Sequence, residues 1–524
     1  MSGRVYLIGA GPGDPGLVTA RGARLIARAD VVVYDRAVEA LLRWARPEAE
    51  RLAVGAAAER DTAQDAISIL LAEKAREGHI VARLKWGDPF VFASGAKEAI
   101  FLHEQGVPFD VVPGVPVAVG ASAYAGVPLT YPGAGDTVVL LRGHEGDSDA
   151  LPDVDWRAVA SIDGTLACFA GPRAVPAMLS ALIDAGAPAD RAAALIARGT
   201  LPAQQTRTGT LAELLRATTD DPPAVPVLLV IGDVAGLRDH VRWFDERPLF
   251  GRRIVVTRSP EQAGSLIDAL ESLGAQAVEA PTFRLLPAED PEALERAAAS
   301  VDQNHWVVFE GANAVTRFLA ALETGPRDLR AFGRVRLAAI GPSTADQLAG
   351  RGLKADVVVP EFRSERLGEA IAGSGSLDGQ RVLIVRPDHL HDVLARDLTG
   401  RGATVTDLVA YRSTSAPADA PASQALYRQL LDGAIDAVTF ASPTAVARFA
   451  SIIGTEQAAD LLNTTVVAVI GPVTAAAALE LGIQPTVVAE PYTIDGLVAG
   501  LVRHFAGADG ADASGARIET RSRI

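Results

Sequence analysis

The feature that most constrains this chain is a repeat inside its second half. Phe309-Glu-Gly-Ala-Asn-Ala-Val-Thr-Arg-Phe318 is matched by Phe440-Ala-Ser-Pro-Thr-Ala-Val-Ala-Arg-Phe449. Downstream of each, Ala339-Ile-Gly-Pro-Ser-Thr-Ala345 is matched by Val469-Ile-Gly-Pro-Val-Thr-Ala475, and the runs Arg253–Arg258 and Arg381–Arg386 both end in arginine. Each segment couples a short apolar run to an amphipathic one, so the repeat predicts two copies of one α/β unit. In each copy a strand runs into a Gly/Ser/Thr turn that opens a helix. Free backbone N–H groups and hydroxyls at such a turn can hold a carboxylate or phosphate. Two lobes of this kind facing each other predict a cleft for a polyanion. The plainer alternative is a duplicated α/β fold whose turn hydroxyls only cap helices.

The same alternation fills the first half. Val5–Ile8, Val31–Tyr34, Ile80–Leu84 and Phe109–Val112 are apolar runs separated by helical lengths, and Thr137–Leu141, Thr165–Phe169, Ala193–Ile196 and Val227–Ile231 form a second series. That pattern predicts buried, mostly parallel strands. Pro113-Gly114 separates the series, and Phe244-Asp-Glu-Arg-Pro248 precedes a fresh strand. The expected domains are 1–245, with lobes of about 1–113 and 114–245, then a linker at 246–251 and a second module at 252–503. The polar, glycine-rich tail at 504–524 is expected to lack regular structure.

At 524 residues the chain is too long for one hydrophobic core. Its formal net charge of −15 argues against a nucleic-acid partner, which needs a basic surface. It does not exclude an anionic small molecule, because arginines in a cleft act locally. The most apolar stretch, Val466–Leu479, is broken by Gly471-Pro472, so no membrane span is expected. The single cysteine, Cys168, excludes an internal disulfide or a cysteine-rich metal site. His389 and His391 are two residues apart and would point oppositely on a strand, so no metal is expected. Arg4–Ile8 already reads as a strand, which leaves no room for a signal peptide, and a cytoplasmic enzyme is the simplest class.

In the first module, strand Val5–Ile8 leads into Gly9-Ala-Gly-Pro-Gly-Asp-Pro-Gly16, and strand Val31–Tyr34 ends in Asp35. A dinucleotide-binding loop would put its third glycine where this chain has Asp14, so the spacing does not fit a nicotinamide enzyme. Tyr34-Asp-Arg36, Arg83-Leu-Lys-Trp-Gly-Asp-Pro-Phe90, Val112-Pro-Gly114 and Gly126-Val-Pro-Leu-Thr130 follow in order, then Gly143-His144, Ala197-Arg-Gly-Thr200, Gly209-Thr-Leu211 and Ile231-Gly-Asp-Val234. Together these motifs resemble the uroporphyrinogen-III C-methyltransferase family. The resemblance implies two α/β lobes with S-adenosylmethionine between them and two methylations of uroporphyrinogen III to precorrin-2, on the route to sirohaem and cobalamin. It makes Asp35 the carboxylate that accepts a proton after methyl transfer. It places cofactor contacts on Pro12, Trp86, Gly87, Asp88, Val91, Pro116, Val117, Ala170 and Gly199. It also makes a homodimer an expectation.

Five positions depart from that family pattern. Ala56 stands where a lysine is usual, Trp86 for a glycine, Ser94 for an arginine, Pro116 for a threonine and Ala170 for a methionine. Two readings stay open: a working methyltransferase, or a degenerate module that serves as scaffold or ligand sensor.

The second module resembles uroporphyrinogen-III synthase, on Val255-Val-Thr-Arg258, Gln262-Ala263, the paired Phe…Ala-Val and Gly-Pro-x-Thr-Ala segments, and Val409-Ala-Tyr-Arg-Ser413. The resemblance implies two flavodoxin-like lobes, the first discontinuous, which cyclise hydroxymethylbilane to uroporphyrinogen III with inversion of the last ring and without a cofactor. Tyr411 is then the group that helps the hydroxyl depart, beside the alternative of an aromatic packed at a lobe junction. Ser442 and Thr474, with Thr344 as the repeat-related partner, would contact substrate carboxylates. Arg258 and Arg386 end equivalent strands and could add charge, while Glu310-Gly311 replaces the usual Thr-Ser.

Overall fold

A computed structural model describes residues 3–55, 64–134, 136–143, 151–359, 364–388, 393–415, 417 and 419–519. The chain divides into two compact units. One is Met1–Arg253 with Ala269–Gln276 and Val502–Ile524, and the other is Ile254–Asp268 with Ala277–Leu501.

In the first unit, strands β1 (Arg4–Gly9), β2 (Val31–Asp35), β3 (Glu50–Val54), β4 (Ile80–Lys85) and β5 (Phe109–Val112) form a sheet in the order β3-β2-β4-β1-β5. The pairings β1–β4, β1–β5, β2–β3 and β2–β4 are parallel. Helices cover both faces of such a sheet, so Val31-Val-Val33 is apolar without alternation and wholly buried.

The second sheet holds β6 (Val138–Arg142), β7 (Thr165–Ala170), β8 (Ala192–Ala197), β9 (Gln205–Thr210) and β10 (Val227–Ile231), in the order β6-β7-β10-β8-β9. Here β6 and β7 are parallel, but β10 runs antiparallel to both β7 and β8, and β8 antiparallel to β9. This corrects the expectation of mostly parallel strands. The link between β8 and β9 spans only residues 198–204, too short for the helical crossover that a parallel return requires. Helix Val117–Tyr124 lies against this sheet, with Ala118, Ala121 and Ala125 among Ala167, Ala194, Leu228 and Val230. Small side chains there let helix and sheet approach closely.

In the second unit the strands are β11 (Arg253–Val256), β12 (Gln276–Glu279), β13 (Phe283–Pro287), β14 (Trp306–Phe309), β15 (Arg336–Ile340), β16 (Val357–Val359), β17 (Arg381–Pro387), β18 (Thr404–Ser415), β19 (Ala437–Phe440), β20 (Val466–Val469) and β21 (Val487–Val488). They form two sheets, β12-β11-β19-β20-β21 and β13-β18-β17-β14-β15-β16. The first is assembled from the two ends of the module around the second. Across that chain separation Thr257 donates to the Thr439 carbonyl and Thr439 donates to the Val255 carbonyl, each at 2.8 Å.

The sequence repeat is a repeat of packing. Phe309 and Phe318 meet edge-to-face at 5.7 Å and 75°, and Phe440 and Phe449 do so at 5.4 Å and 83°. Val315 and Val446 are fully buried at matching helix positions. The last helix, Ile494–Glu519, runs through much of the tail expected to lack regular structure. Alanine recurs along that segment and favours helix, which offsets its glycines.

Candidate active sites

The glycine loop is held by backbone contact. Gly11 and Gly87 exchange hydrogen bonds at 3.1 and 2.8 Å, which fastens the loop after β1 to the turn after β4. A Cβ added at Gly9 would stand 2.4 Å from the Gly114 nitrogen, and one at Gly114 would stand 2.3 Å from the Gly87 carbonyl oxygen. Glycine is therefore required where the three strand ends converge. Asp14, the residue that breaks the dinucleotide spacing, caps the short helix Pro15–Leu17 by accepting from Gly16 N–H at 2.7 Å.

These strand ends form one wall of a cleft with about 710 Å³ of open space. Asp35, Trp86, Gly87, Asp88, Val91, Pro116 and Val117 all line it, together with Lys85, Ser94 and Phe169. Pro12 joins through Trp86, whose indole N–H donates to the Pro12 carbonyl at 2.8 Å. The ring is thereby pinned along the loop. Asp88 spends both oxygens on backbone, Oδ1 accepting from Phe90 N–H at 2.8 Å and Oδ2 from Gly114 N–H at 2.9 Å. Its carboxylate shapes the turn. Ala170 is fully buried in the core of the mixed sheet, and its neighbour Phe169 faces the cleft instead. Gly199 lies against helix Val117–Tyr124, where a Cβ would come within 2.4 Å of Ala121 Cβ. Ala56 lies outside the described residues.

Beneath Asp35 is a charge cluster that motif reading did not assign. Arg83, 2% exposed, donates from both terminal nitrogens to Asp35 Oδ1 at 3.1 Å. Its Nε is 3.5 Å from Oε1 of the fully buried Glu98, without a hydrogen bond. Lys85 Nζ donates to Glu98 Oε1 at 2.9 Å and to Ser94 Oγ at 2.8 Å, and Gln64 donates to the same Glu98 oxygen at 2.9 Å. Burial, followed by the adjacent Arg83 charge, holds Lys85 below the ordinary lysine range. Burial alone would raise the Glu98 carboxyl, but Arg83 and Lys85 outweigh it and keep it below the usual carboxylate range. The available signal was charged residues at alternate positions of a buried strand, Arg83 and Lys85, followed by an acid on the next helix.

In the second unit, β11, β19 and β20 are parallel neighbours, so Arg258, Ser442 and Thr474 follow three adjacent strand ends. Ligands of open α/β sheets bind at that edge. Ser442 realises the helix-cap reading, accepting from Ala445 N–H at 3.2 Å. Thr344 is fully buried and donates to the Ile340 carbonyl at 2.6 Å, so its hydroxyl serves its helix rather than a ligand. Thr474 is also buried. Arg386 pairs with Asp407 through Nε at 2.6 Å and Nη2 at 2.8 Å, which commits its charge within the sheet. Arg258 differs: its Nε is buried with no hydrogen-bond partner among the described residues, and burial lowers its guanidinium below the ordinary range.

Tyr411 sits on β18, opposite Pro287 of β13 and Pro387 of β17. Its ring is 6% exposed and its hydroxyl hydrogen-bonds to Asn313, close to Gly311. Burial pushes its phenol up to about 12. Asp388 donates its N–H to the Tyr411 carbonyl at 3.1 Å and accepts from Ser413 N–H at 3.1 Å. Arg448, on the helix after β19, reaches Ser413 Oγ at 3.0 Å and covers the Phe283 ring at 5.2 Å. Asn313, Asp388 and Arg448 were not singled out in the sequence, although the repeat carries arginine at both 317 and 448. His389 and His391 lie outside the described residues. No group of three His, Cys, Asp or Glu side chains suited to a metal occurs among the described residues.

Comparison with known proteins matches these two modules separately and jointly. A family model described as Tetrapyrrole (Corrin/Porphyrin) Methylases matches residues 4–215, and one described as Uroporphyrinogen-III synthase HemD matches residues 264–499. A porphyrin biosynthesis protein HemD of Ruminiclostridium josui is 32% identical over 498 residues, covering 95% of this chain and 97% of that protein. A siroheme synthase of Neisseria meningitidis serogroup C is 45% identical over 246 residues, covering 47% of this chain and 50% of that protein. The chain thus spans about half the length of the siroheme synthases it matches. Among solved structures, uroporphyrin-III-C-methyltransferase from Thermus thermophilus aligns at 36% identity and a TM-score of 0.39, over 47% of this chain and 99% of that one. The chain therefore belongs to the family of porphyrin biosynthesis proteins in which a two-lobed tetrapyrrole methylase is fused to a flavodoxin-like uroporphyrinogen-III synthase.

Proposed function

We propose that the chain carries out two consecutive steps of tetrapyrrole biosynthesis: cyclisation of hydroxymethylbilane to uroporphyrinogen III, and methylation of that product to precorrin-2. The observation that carries this reading is the match over 95% of the chain to a single porphyrin biosynthesis protein, beside the two family models that fall in order along this chain. A cytoplasmic setting belongs to the same proposal. Among the described residues no helix is long and apolar enough to cross a membrane.

The first cleft fits S-adenosylmethionine by its donor set. Bare backbone at Gly87 admits close approach, Trp86 and Phe169 offer flat apolar surface, and Asp35 supplies negative charge. The bound cofactor would supply an activated methyl group, which leaves the protein to orient the partners and exclude water. Arg83 occupies Oδ1 of Asp35 and fixes the carboxylate, so Oδ2 is the atom placed to accept the proton released from the methylated ring carbon.

In the second module the phenol of Tyr411 stays protonated at neutral pH, as a donor to a departing hydroxyl must. Asn313 and the strand partners hold its ring in one orientation. Arg258 brings a positive charge whose buried Nε has no hydrogen-bond partner among the described residues, suited to a substrate carboxylate.

Trp86, standing along the glycine loop, favours a second reading in which the first module binds ligand without transferring methyl. Isothermal titration with S-adenosylhomocysteine, followed by a coupled assay from hydroxymethylbilane, separates the two. Cofactor binding with type III product and a twofold mass gain of one methyl each supports the bifunctional enzyme. Type I product alone refutes the synthase reading, and absent cofactor binding refutes the methyltransferase reading.

A further inference from the structure

Lys85 ends β4 with its side chain only 4% exposed, yet it lines the first cleft. Its ammonium makes one hydrogen bond to Ser94 Oγ and one to Glu98 Oε1. An ammonium carries three donors, so one remains without an acceptor among the described residues, and the cleft is the open space beside it. The charged groups facing it are Arg83 on its own strand, Glu98 on helix Gly95–Glu104 and Asp35 on β2. Together with Lys85 they sum to zero.

Four buried or half-buried charges are costly to desolvate, and replacing such a set by apolar side chains of similar volume is often neutral or stabilising. A purely structural role therefore does not account for the arrangement. Arg83 has a visible task, since it grips Asp35. Glu98 and Ser94 hold Lys85 on two sides and leave its third N–H toward the cleft.

We propose that Lys85 binds a carboxylate of the tetrapyrrole substrate, with Glu98 and Ser94 as the residues that position its ammonium. The assignment rests on the methyltransferase reading and gives that reading its substrate-anchoring charge. The burial that disfavours the charged lysine also means that an incoming carboxylate strengthens it, in a site of low dielectric. Asp35 and Lys85 then divide the work: one accepts the proton and the other holds the anion.

Steady-state methylation of uroporphyrinogen III by Lys85→Met and Lys85→Arg full-length protein tests this, with S-adenosylhomocysteine titration alongside. Lys85→Met should raise KM for uroporphyrinogen III by about tenfold or more, while cofactor affinity moves by less than about twofold. Lys85→Arg should bring KM back to within about threefold of the wild type, since the charge and donors return. An unchanged KM in Lys85→Met, or equal losses of cofactor and substrate affinity, overturns the proposal. If Lys85→Met does not fold, the double variant Lys85→Met/Glu98→Gln, which leaves no unpaired buried charge, takes its place. If the wild type transfers no methyl group, the methyltransferase reading falls by itself. Titration of wild type and variant with uroporphyrin III then decides on Lys85: weaker binding by the variant sustains the carboxylate site, and equal binding overturns it.

Discussion

Tyr124 and Asp14 join the two lobes of the first module: the tyrosine hydroxyl donates to Asp14 Oδ2 at 2.6 Å, across 110 residues of chain. The same aspartate receives a second tie, because its backbone N–H donates to Thr200 Oγ1 at 3.0 Å. Gln204 completes the set, accepting from Thr200 N–H at 2.9 Å and donating to the Tyr124 carbonyl at 3.2 Å. The glycine loop is thus tied to the mixed sheet on the far side of the cleft.

Removing that tie should loosen the module without emptying its site. Tyr124→Phe leaves Asp14 Oδ2 without its donor and should cost about 1–2 kcal/mol in urea unfolding. Burial and Asp14 both raise the Tyr124 phenol above its ordinary range. A raised folded value stabilises below the unfolded one and fades as pH rises through the folded one, so the wild-type advantage should hold steady up to about pH 10 and shrink beyond it. An advantage that grows with alkalinity contradicts this assignment.

Asp35→Asn keeps the shape but cannot take a proton. Its turnover in methyl transfer should fall roughly 10²–10⁴-fold, while S-adenosylhomocysteine binding persists. Rapid-quench product analysis checks the first outcome and calorimetry the second. Undiminished turnover would mean that another group accepts the proton.

Tyr411→Phe should slow formation of the type III isomer by about 10²-fold or more. It should also destabilise the second unit by about 1–3 kcal/mol, because Asn313 loses a buried partner. With the phenol pushed up to about 12, the wild-type rate should show no loss from Tyr411 ionisation between neutral pH and about pH 10. Chromatographic isomer ratios across that range provide the measurement.

Arg258 invites a test in which stability and activity move in opposite directions. Its buried Nε has no partner among the described residues, so Arg258→Met should leave thermal stability unchanged or raise it by about 1–2 kcal/mol. The same variant should raise KM for hydroxymethylbilane about tenfold. Loss of stability without a change in KM would assign the arginine to packing.

Much of this architecture was legible because interior strands are unbroken apolar runs. Val31-Val-Val-Tyr34 and Val227-Leu-Leu-Val-Ile231 announce themselves, and both lie inside their sheets. The edges do not. β3 (Glu50–Val54) and β9 (Gln205–Thr210) are polar on their open sides and went unread, which also hid the antiparallel half of the second sheet. Sites followed the same division. Gly87, Asp88 and Asp35 could be placed by motif, since turn chemistry is local. The Arg83–Glu98–Lys85 cluster and the Tyr411–Asn313 contact depend on side chains from different elements, and no local spacing records such meetings. Thr344 shows the converse: its repeat position suggested a ligand, while burial turned its hydroxyl onto Ile340.

The reciprocal threonine bonds between β11 and β19 set a timetable for the ribosome. Thr257 cannot meet Thr439 until 182 further residues have been made. At ordinary elongation rates that wait lasts roughly 10–40 s. During it the inserted sheet, β13 to β18, can close on itself, while β11 has only β12 beside it and its other edge waits for β19. The second module is thus assembled from its middle outward, and its last-made segments complete its first.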